Sequence, residues 1–148
     1  MSVMLGVEYQ VNGLEPPYED DRPAMESPEA AECYLNREHG LFEAKVEECW
    51  ALLLNTRHRL ERAVMISRGS IDHTFMSPRE IYREALVHNA AAVILAHNHP
   101  SGDPTPSEDD LRVTRRLAAA GELMGVTMLD HIVIGSDSYR SMARIGWD

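Results

Sequence analysis

The chain has 148 residues, of which 44% are hydrophobic and 26% charged, a composition ordinary for one globular domain and a length too short for two full-sized ones. No apolar run approaches the roughly 18 residues that a membrane-spanning helix needs, so we expect no membrane segment. The N-terminal residues lack the basic start and long apolar block of a secretory signal, and two cysteines, Cys33 and Cys49, suggest no disulfide framework. We therefore expect a cytoplasmic location.

The formal net charge of -10 is concentrated in the first third of the chain. Residues 1–50 carry 12 acidic and 3 basic side chains, and Lys45 is the single lysine. Nucleic-acid binding draws most of its affinity from Lys and Arg on phosphates, so this balance argues against it. Arg112, Arg115 and Arg116 lie on adjacent turns of one predicted helix, where we interpret them as a solvated face.

The sequence predicts an acidic N-terminal extension over residues 1–26 and one folded domain over residues 27–148. Residues 3–11 could form a strand, but the following stretch, GLEPPYEDDRPAMES, is rich in proline and acid and is typical of an exposed connection. Ser27 and Pro28 then have the order of an N-cap and a first helical residue. The predicted helix ends at Gly40.

Six further elements follow in chain order. The apolar segments ECWALLLN and LERAVMIS, separated by the polar turn TRHR, predict an antiparallel hairpin. Ser77, Pro78 and Glu80 have the spacing of a capping box that opens the next helix. The continuous apolar run over residues 90–96 predicts a strand buried on both faces. A helix over residues 107–123, a strand over residues 126–134 and a short tail complete the chain.

The segment HNHPSGDPTPSEDD, which follows the buried strand directly, carries the clearest chemistry. Side chains at positions i and i+2 of an extended segment project to the same side, so His97 and His99 can direct both imidazoles at one ion. A loop with three prolines then leads into a helix whose first turn holds Asp110, which could supply a third ligand. Three protein ligands that leave a fourth position to water are typical of a catalytic zinc site.

Each of these residues also has a purely structural interpretation. Ser107 and Asp110 fit the S-x-x-D spacing of a helix cap, which is abundant at helix starts and compatible with metal binding. A lone histidine would carry equally little weight. Two histidines on one side of a strand end, followed at once by the cap, favour a metal site. The nucleases called HNH share only the letters, because their residues lie on separate elements.

The spacing His97-x-His99, seven residues, Ser107-x-x-Asp110 resembles the JAMM motif of MPN-domain metalloproteases. The segments PREIYREAL, NAAAVILAHNHPSGDPTPSEDD and LDHIVIG resemble the RadC-like JAB domains in particular, and this resemblance covers roughly residues 27–146. It implies a cytidine-deaminase-like JAB/MPN fold, which is an α/β domain with three α/β/α layers and a mixed central sheet. Zinc would lie at the carboxyl edge of that sheet.

The resemblance implies a zinc-dependent hydrolase of the JAMM type that cleaves a peptide, isopeptide or related amide bond. One Zn²⁺ per chain would be bound by His97, His99 and Asp110, and Ser107 would donate to the developing oxyanion. A glutamate on an upstream strand would act as the general base that takes a proton from the attacking water.

Glu47 and Glu48 are both candidates for this base. The family pattern matches EECWALLLNTRHR without gaps if Glu47 is its first residue. Strand alternation agrees, because Glu47 shares a face with Cys49, whereas Glu48 shares one with the bulkier Trp50. We predict Glu47, and a solvated strand-end carboxylate is the alternative interpretation for either residue.

The alternative function is a non-enzymatic, metal-stabilised JAB module that binds DNA-repair or other proteins. RadC-like proteins usually carry an N-terminal helix-hairpin-helix region suited to DNA, whereas this chain has an acidic extension in that place. We therefore expect no nucleic-acid binding by this chain alone, and a homodimer is compatible with the sequence. Asp130 and His131 stay outside the predicted catalytic set, because a structural role at the strand end explains them equally well.

Overall fold

The computed structural model describes residues 20–69 and 76–147, which form a five-stranded sheet with four α-helices and one short 3-10 helix. In chain order the elements are α1 (Pro28–His39), the 3-10 helix (Leu41–Glu43), β1 (Glu48–Leu54), β2 (Leu60–Arg68), α2 (Pro78–Val87), β3 (Ala92–Asn98), α3 (Glu108–Met124), β4 (Thr127–Ile134), β5 (Tyr139–Ser141) and α4 (Met142–Ile145). The predicted strand over residues 3–11 lies outside the described residues. Within the described ranges, no helix has the length and apolar character needed to cross a membrane.

The five strands form one mixed sheet in the order β2-β1-β3-β4-β5. Strands β3 and β4 are parallel, and the other neighbouring pairs, which include the predicted β1–β2 hairpin, are antiparallel. Residues of α1 pack on one face of the sheet, and residues of α2 and α3 pack on the other. The prediction of three layers around a mixed central sheet is therefore confirmed.

Alternation along the central strands divides the core into two halves. In β1 the odd-numbered residues from Cys49 to Leu53 pack with α2 and α3, and the even-numbered residues from Trp50 to Leu54 pack with α1. All seven residues of β3 are buried. A strand between two helical layers is apolar on both faces, which is why β3 is continuously apolar up to His97.

The N-termini of α1 and α2 follow local capping chemistry. Ser27 caps α1, and Gly40 ends it in the left-handed conformation (φ 64°), in agreement with the predicted bounds. The predicted capping box of α2 differs in detail. Ser77 accepts a hydrogen bond from the amide of Arg79 rather than from that of Glu80, so the cap is made one residue earlier.

The C-terminal residues form two elements that the sequence analysis treats as a tail. Strand β5 pairs antiparallel with the end of β4, and α4 follows at once with Ser141 as its N-cap. Helix α4 ends at Gly146. Elements of three and four residues are too short to show a hydrophobic period, so the sequence signal was limited to the cap and the glycine.

Residues 23–25, which belong to the predicted extension, lie against the β1–β2 hairpin. Ala24 forms an antiparallel bridge with Arg59, and Met25 is buried in the core with α1. The amide of Leu60 donates to the carbonyl of Pro23 (2.8 Å). The division of the chain at residue 27 stays a prediction.

Helix α3 crosses α2 closely at Gly121. The Tyr82 hydroxyl donates to the Leu117 carbonyl (2.6 Å), and a Cβ atom at position 121 would lie 2.5 Å from that hydroxyl oxygen. The same Cβ would also overlap the carbonyl oxygen of Val126. The contact between the two helices therefore depends on the missing side chain.

We expect Gly121→Ala to lower the free energy of unfolding by about 1–3 kcal/mol, because the added methyl group overpacks the α2–α3 contact. Urea denaturation would measure the loss. The exposed Ala119 on the same helix provides the control, since Ala119→Gly reports helix propensity alone, at about 1 kcal/mol. If Gly121→Ala raised stability by a similar amount, propensity would dominate and the packing argument would be wrong.

Candidate metal centre

His97 and His99 lie at the carboxyl end of β3. His97 is the penultimate residue of the strand and is fully buried, and the His99 side chain, just beyond the strand, is 20% exposed. Their two-residue spacing directs both rings toward the face that α2 and α3 cover. The Nε2 atoms of the two rings are 3.1 Å apart.

Asp110 reaches the two imidazoles from the first turn of α3. Its Oδ1 atom lies 3.3 Å from Nε2 of His97, and its Oδ2 atom lies 3.3 Å from Nε2 of His99. Ser107 and Asp110 form a complete capping box, in which Ser107 Oγ accepts from the Asp110 amide (3.0 Å) and Asp110 Oδ2 accepts from the Ser107 amide (2.8 Å). The cap and the candidate ligand are thus the same carboxylate.

The chemistry of these three donors fits a metal ion. Nδ1 of His99 lies 2.9 Å from the carbonyl oxygen of Asp103, which can only accept, so His99 donates from Nδ1 and keeps a lone pair on Nε2. One ligand atom each from His97, His99 and Asp110 lies within 4.8 Å of the other two. Lone pairs that converge at this range repel one another unless a cation lies between them. The group could therefore hold a metal ion.

The electrostatic environment keeps Asp110 ionised. Burial by itself raises the pKa of a carboxyl group, but the adjacent His97 and His99 rings and the hydrogen bond from the Ser107 amide outweigh it and hold the pKa of Asp110 well below its ordinary range. The neighbouring Asp110 carboxylate raises the pKa of the His99 imidazole above its ordinary value, against the opposing effect of burial. The site thus holds a charged carboxylate at neutral pH, which is the form that binds a cation.

The structure separates the two candidate base residues. Oε2 of Glu47 lies 3.9 Å from Nε2 of His97, and the Glu47 side chain is 12% exposed. The carboxylate of Glu48 instead accepts from the indole nitrogen of Trp50 (2.9 Å) and from Nε of Arg68 (3.3 Å). Glu47 therefore lies beside the three donors, whereas Glu48 lies on the opposite face of β1, with Trp50.

Asn98, between the two histidines, fixes the backbone around Glu47. Its buried Oδ1 accepts from the Glu48 amide (2.7 Å), and its Nδ2 donates to the carbonyl of Val46 (3.0 Å). These two bonds bracket Glu47 on both sides. No role for Asn98 could be predicted from the sequence, because its partners lie 50 and 52 residues away along the chain.

The loop after His99 is tied to the end of β4. The His99 amide donates to the carbonyl of Ile134 (2.8 Å). A Cβ atom at Gly135 would lie 2.9 Å from Cδ of Pro104 and closer still to the carbonyl oxygen of Gly102, so this close approach requires glycine. The contact holds the proline-rich loop, and with it the ring of His99, against the sheet.

Asp130 and His131 have different roles in the structure. The Asp130 carboxylate accepts from the Ser141 hydroxyl (2.7 Å) and from the Ala143 amide (2.9 Å), so it holds the C-terminal elements on β4. His131 is fully buried, and its Nε2 atom lies 2.8 Å from Nδ1 of His97. This contact could not be predicted from the sequence, because the two histidines are 34 residues apart and meet through the pairing of β3 with β4.

These features define an α+β domain with a mixed five-stranded sheet and a candidate metal site at the end of a central strand. The chain belongs to the RadC-like JAB domain family, whose model matches residues 25–147. The resemblance of the three sequence segments to RadC-like JAB domains is therefore confirmed by a match that extends over residues 25–147.

The chain is also similar to several curated proteins named UPF0758. The protein of Pelobacter propionicus is 47% identical over 106 residues, which cover 72% of this chain and 46% of the relative. The protein of Syntrophotalea carbinolica is 46% identical over 120 residues, which cover 81% of this chain and 52% of the relative. The chain spans about half the length of the curated relatives it matches, and their name states no activity.

We expect the protein to retain about one divalent ion per chain after incubation with metal and gel filtration, and His99→Ala combined with Asp110→Asn to retain almost none. The double change removes two of the three donors. Inductively coupled plasma mass spectrometry would measure the metal content. His88→Ala, which alters the C-cap residue of α2, is the control and should retain the parent amount. Equal metal in the parent and the double variant would contradict the site.

We expect Asn98→Ala to lower the free energy of unfolding by about 2–4 kcal/mol, because it removes a buried side chain and leaves the partly buried amide of Glu48 and carbonyl of Val46 without this partner. Asn36 provides a half-buried comparison, since it accepts from the Phe42 amide (2.7 Å). Asn36→Ala should cost about 1 kcal/mol. Urea denaturation would measure both losses. Equal losses in the two variants would show that the two Asn98 bonds beside Glu47 stabilise the fold no more than the single Asn36 bond does.

Proposed function

We propose that this domain is a zinc-dependent hydrolase that cleaves an amide bond in a peptide or isopeptide. The observation that carries the proposal is the position of Glu47, whose carboxylate lies 3.9 Å from Nε2 of His97, beside the three donors. A structural zinc site is usually closed by four protein ligands and needs no neighbouring base. Three donors with an adjacent carboxylate suit hydrolysis better.

His97, His99 and Asp110 would hold the ion. We propose zinc because imidazole and carboxylate donors suit it, whereas magnesium and calcium prefer sites made of oxygen atoms. When bound, the ion would supply a Lewis acid that polarises a carbonyl group and lowers the pKa of water. The ionised carboxylate of Asp110 would balance part of its charge.

Glu47 would act as general base and then as general acid. Its carboxylate would take a proton from the attacking water and pass it to the nitrogen of the amide as the carbon–nitrogen bond breaks. The Asn98 bonds to the flanking backbone would hold this carboxylate in place. Because the side chain is 12% exposed, solvent can supply the water.

Ser107 would stabilise the oxyanion that forms on the carbonyl oxygen. Its Oγ already accepts from the Asp110 amide, which leaves the hydroxyl proton available for donation. The residue also caps the N-terminus of α3, where the helix dipole favours negative charge. Both effects would act where charge develops during the reaction.

A peptide or isopeptide is a better candidate substrate than a nucleic acid. Two of the three arginines predicted as a solvated face of α3 have protein partners, because Arg112 pairs with Asp109 and Arg115 donates to the carbonyl of Trp147 (2.9 Å). The acidic balance of the chain adds to this argument. We propose that the substrate approaches beside His99, the most exposed of the three donors.

We expect Glu47→Gln to lose at least about 100-fold in the rate of amide hydrolysis, because the variant lacks the proton acceptor. It should keep the parent metal content and the parent unfolding midpoint. Quenched-fluorescence peptides and isopeptide-linked peptides would serve as substrates, with turnover followed by the rise in fluorescence.

Glu48→Gln is the matched control, since Glu48 is bound by Trp50 and Arg68 away from the donors, and it should keep the parent rate. Loss of metal from Glu47→Gln would show that this residue is a ligand and not the base. A parent protein that binds zinc but cleaves none of these amides would favour the alternative, a non-enzymatic module that binds other proteins.

A further inference from the structure

A chain of hydrogen bonds joins the backbone of Asp110 to the ring of His97. The Thr114 hydroxyl donates to the carbonyl oxygen of Asp110 (2.6 Å), and the same hydroxyl oxygen lies 2.6 Å from Nδ1 of His131. Nε2 of His131 in turn lies 2.8 Å from Nδ1 of His97. All four residues are fully buried, so water does not compete for these groups.

The carbonyl of Asp110, at one end of this series of hydrogen bonds, determines which group donates in each bond. A carbonyl oxygen can only accept, so the single proton of the Thr114 hydroxyl points to Asp110. The hydroxyl oxygen must then accept from Nδ1–H of His131. An uncharged imidazole that donates from Nδ1 has a lone pair on Nε2. That lone pair accepts from Nδ1–H of His97.

His97 therefore carries its proton on Nδ1 and has a lone pair on Nε2, the atom that faces His99 and Asp110. We propose that Thr114 and His131 are positioning residues that fix this tautomer of His97 and so prepare its Nε2 atom for the metal ion. The inference rests on the metal site of the proposed function. It concerns how the site is prepared before the ion binds, and it assigns neither residue a chemical step.

The two histidine ligands reach the same tautomer by different routes. The partly exposed His99 uses the carbonyl of Asp103 in its own loop, as described above. His97 points into the core between β4 and α3, where its Nδ1 meets another imidazole. An imidazole can donate or accept, so this contact alone leaves the direction open. The contact of His131 with the Thr114 hydroxyl determines that His97 is the donor and His131 the acceptor.

A purely structural role of Thr114 and His131 would explain only some of these hydrogen bonds. A threonine inside a helix often donates to the carbonyl four residues earlier, and Thr114 follows that pattern with Asp110. This local hydrogen bond does not explain why the same hydroxyl also contacts His131, which in turn contacts the candidate metal ligand His97. A structural role predicts a change in stability alone, whereas a positioning role also predicts a change in the tautomer of His97.

The test compares Thr114→Val, which keeps the shape but removes the hydroxyl, with Thr114→Ser, which keeps the hydroxyl. Two-bond ¹⁵N–¹H correlation spectra of the metal-free protein report which ring nitrogen is protonated. Competition with a chromophoric chelator reports the affinity for Zn²⁺. Thr127→Val alters an exposed threonine at the start of β4 and should change neither measurement.

We expect the parent protein and Thr114→Ser to show protons on Nδ1 of both His97 and His131. In Thr114→Val the pair can reverse, so that His131 donates from Nε2 and His97 carries its proton on Nε2. The ion must then displace that tautomer, and we expect its affinity to fall at least about 10-fold. Thr114→Ser should restore the parent affinity.

Two results would overturn the inference. One is a parent spectrum with the His97 proton on Nε2, which needs no variant and so holds even if Thr114→Val fails to fold. The other is a folded Thr114→Val protein with the parent tautomers and affinity. A parent with the expected tautomers and zinc binding but no amide hydrolysis would keep this inference and remove the proposed function. Hydrolysis with a reversed histidine pair would do the opposite.

Discussion

The site depends on one constraint, which is that β1 and β3 are covered by helices on both faces. Because side chains alternate, each odd-numbered residue of these strands faces α2 and α3, and each even-numbered residue faces α1. The antiparallel register pairs Cys49 with His97, so Glu47 and His99 come near each other just beyond the paired residues. A slip of one residue would turn these side chains to the wrong face, and the apolar packing on both sides prevents it.

Local patterns were sufficient to predict much of this arrangement. The continuous apolar run before His97 indicated a doubly covered strand, and the Ser107–Asp110 spacing indicated a helix that begins just after the loop. Both features depend on neighbours in sequence, which is why they could be recognised without a structure. Alternation also placed Glu47 and Glu48 on different faces, and the contacts of Glu48 with Trp50 and Arg68 agree with that separation.

The groups that support the donors could not be predicted in the same way. Asn98 binds backbone atoms about fifty residues earlier, and His131 meets His97 only because β4 lies parallel to β3. Such contacts are set by strand order, which a hydrophobic pattern does not specify. The spacing of Ser107 and Asp110 was visible in the sequence but had two interpretations, because a helix cap and a metal ligand have the same sequence signature. The structure shows that one carboxylate can satisfy both descriptions.

Each donor is oriented by a backbone group whose hydrogen-bonding role cannot reverse. A carbonyl fixes His99, the amide of Ser107 fixes Asp110, and the carbonyl of Asp110 fixes His97 through Thr114 and His131. Since the Ser107 amide belongs to the N-cap of α3 and the Asp110 carbonyl to its first turn, the same helix end orients two of the donors. Any displacement of that helix end would move the Asp110 carboxylate and release the tautomer of His97 together. The N-terminus of α3 is therefore the element whose position decides whether the three lone pairs converge.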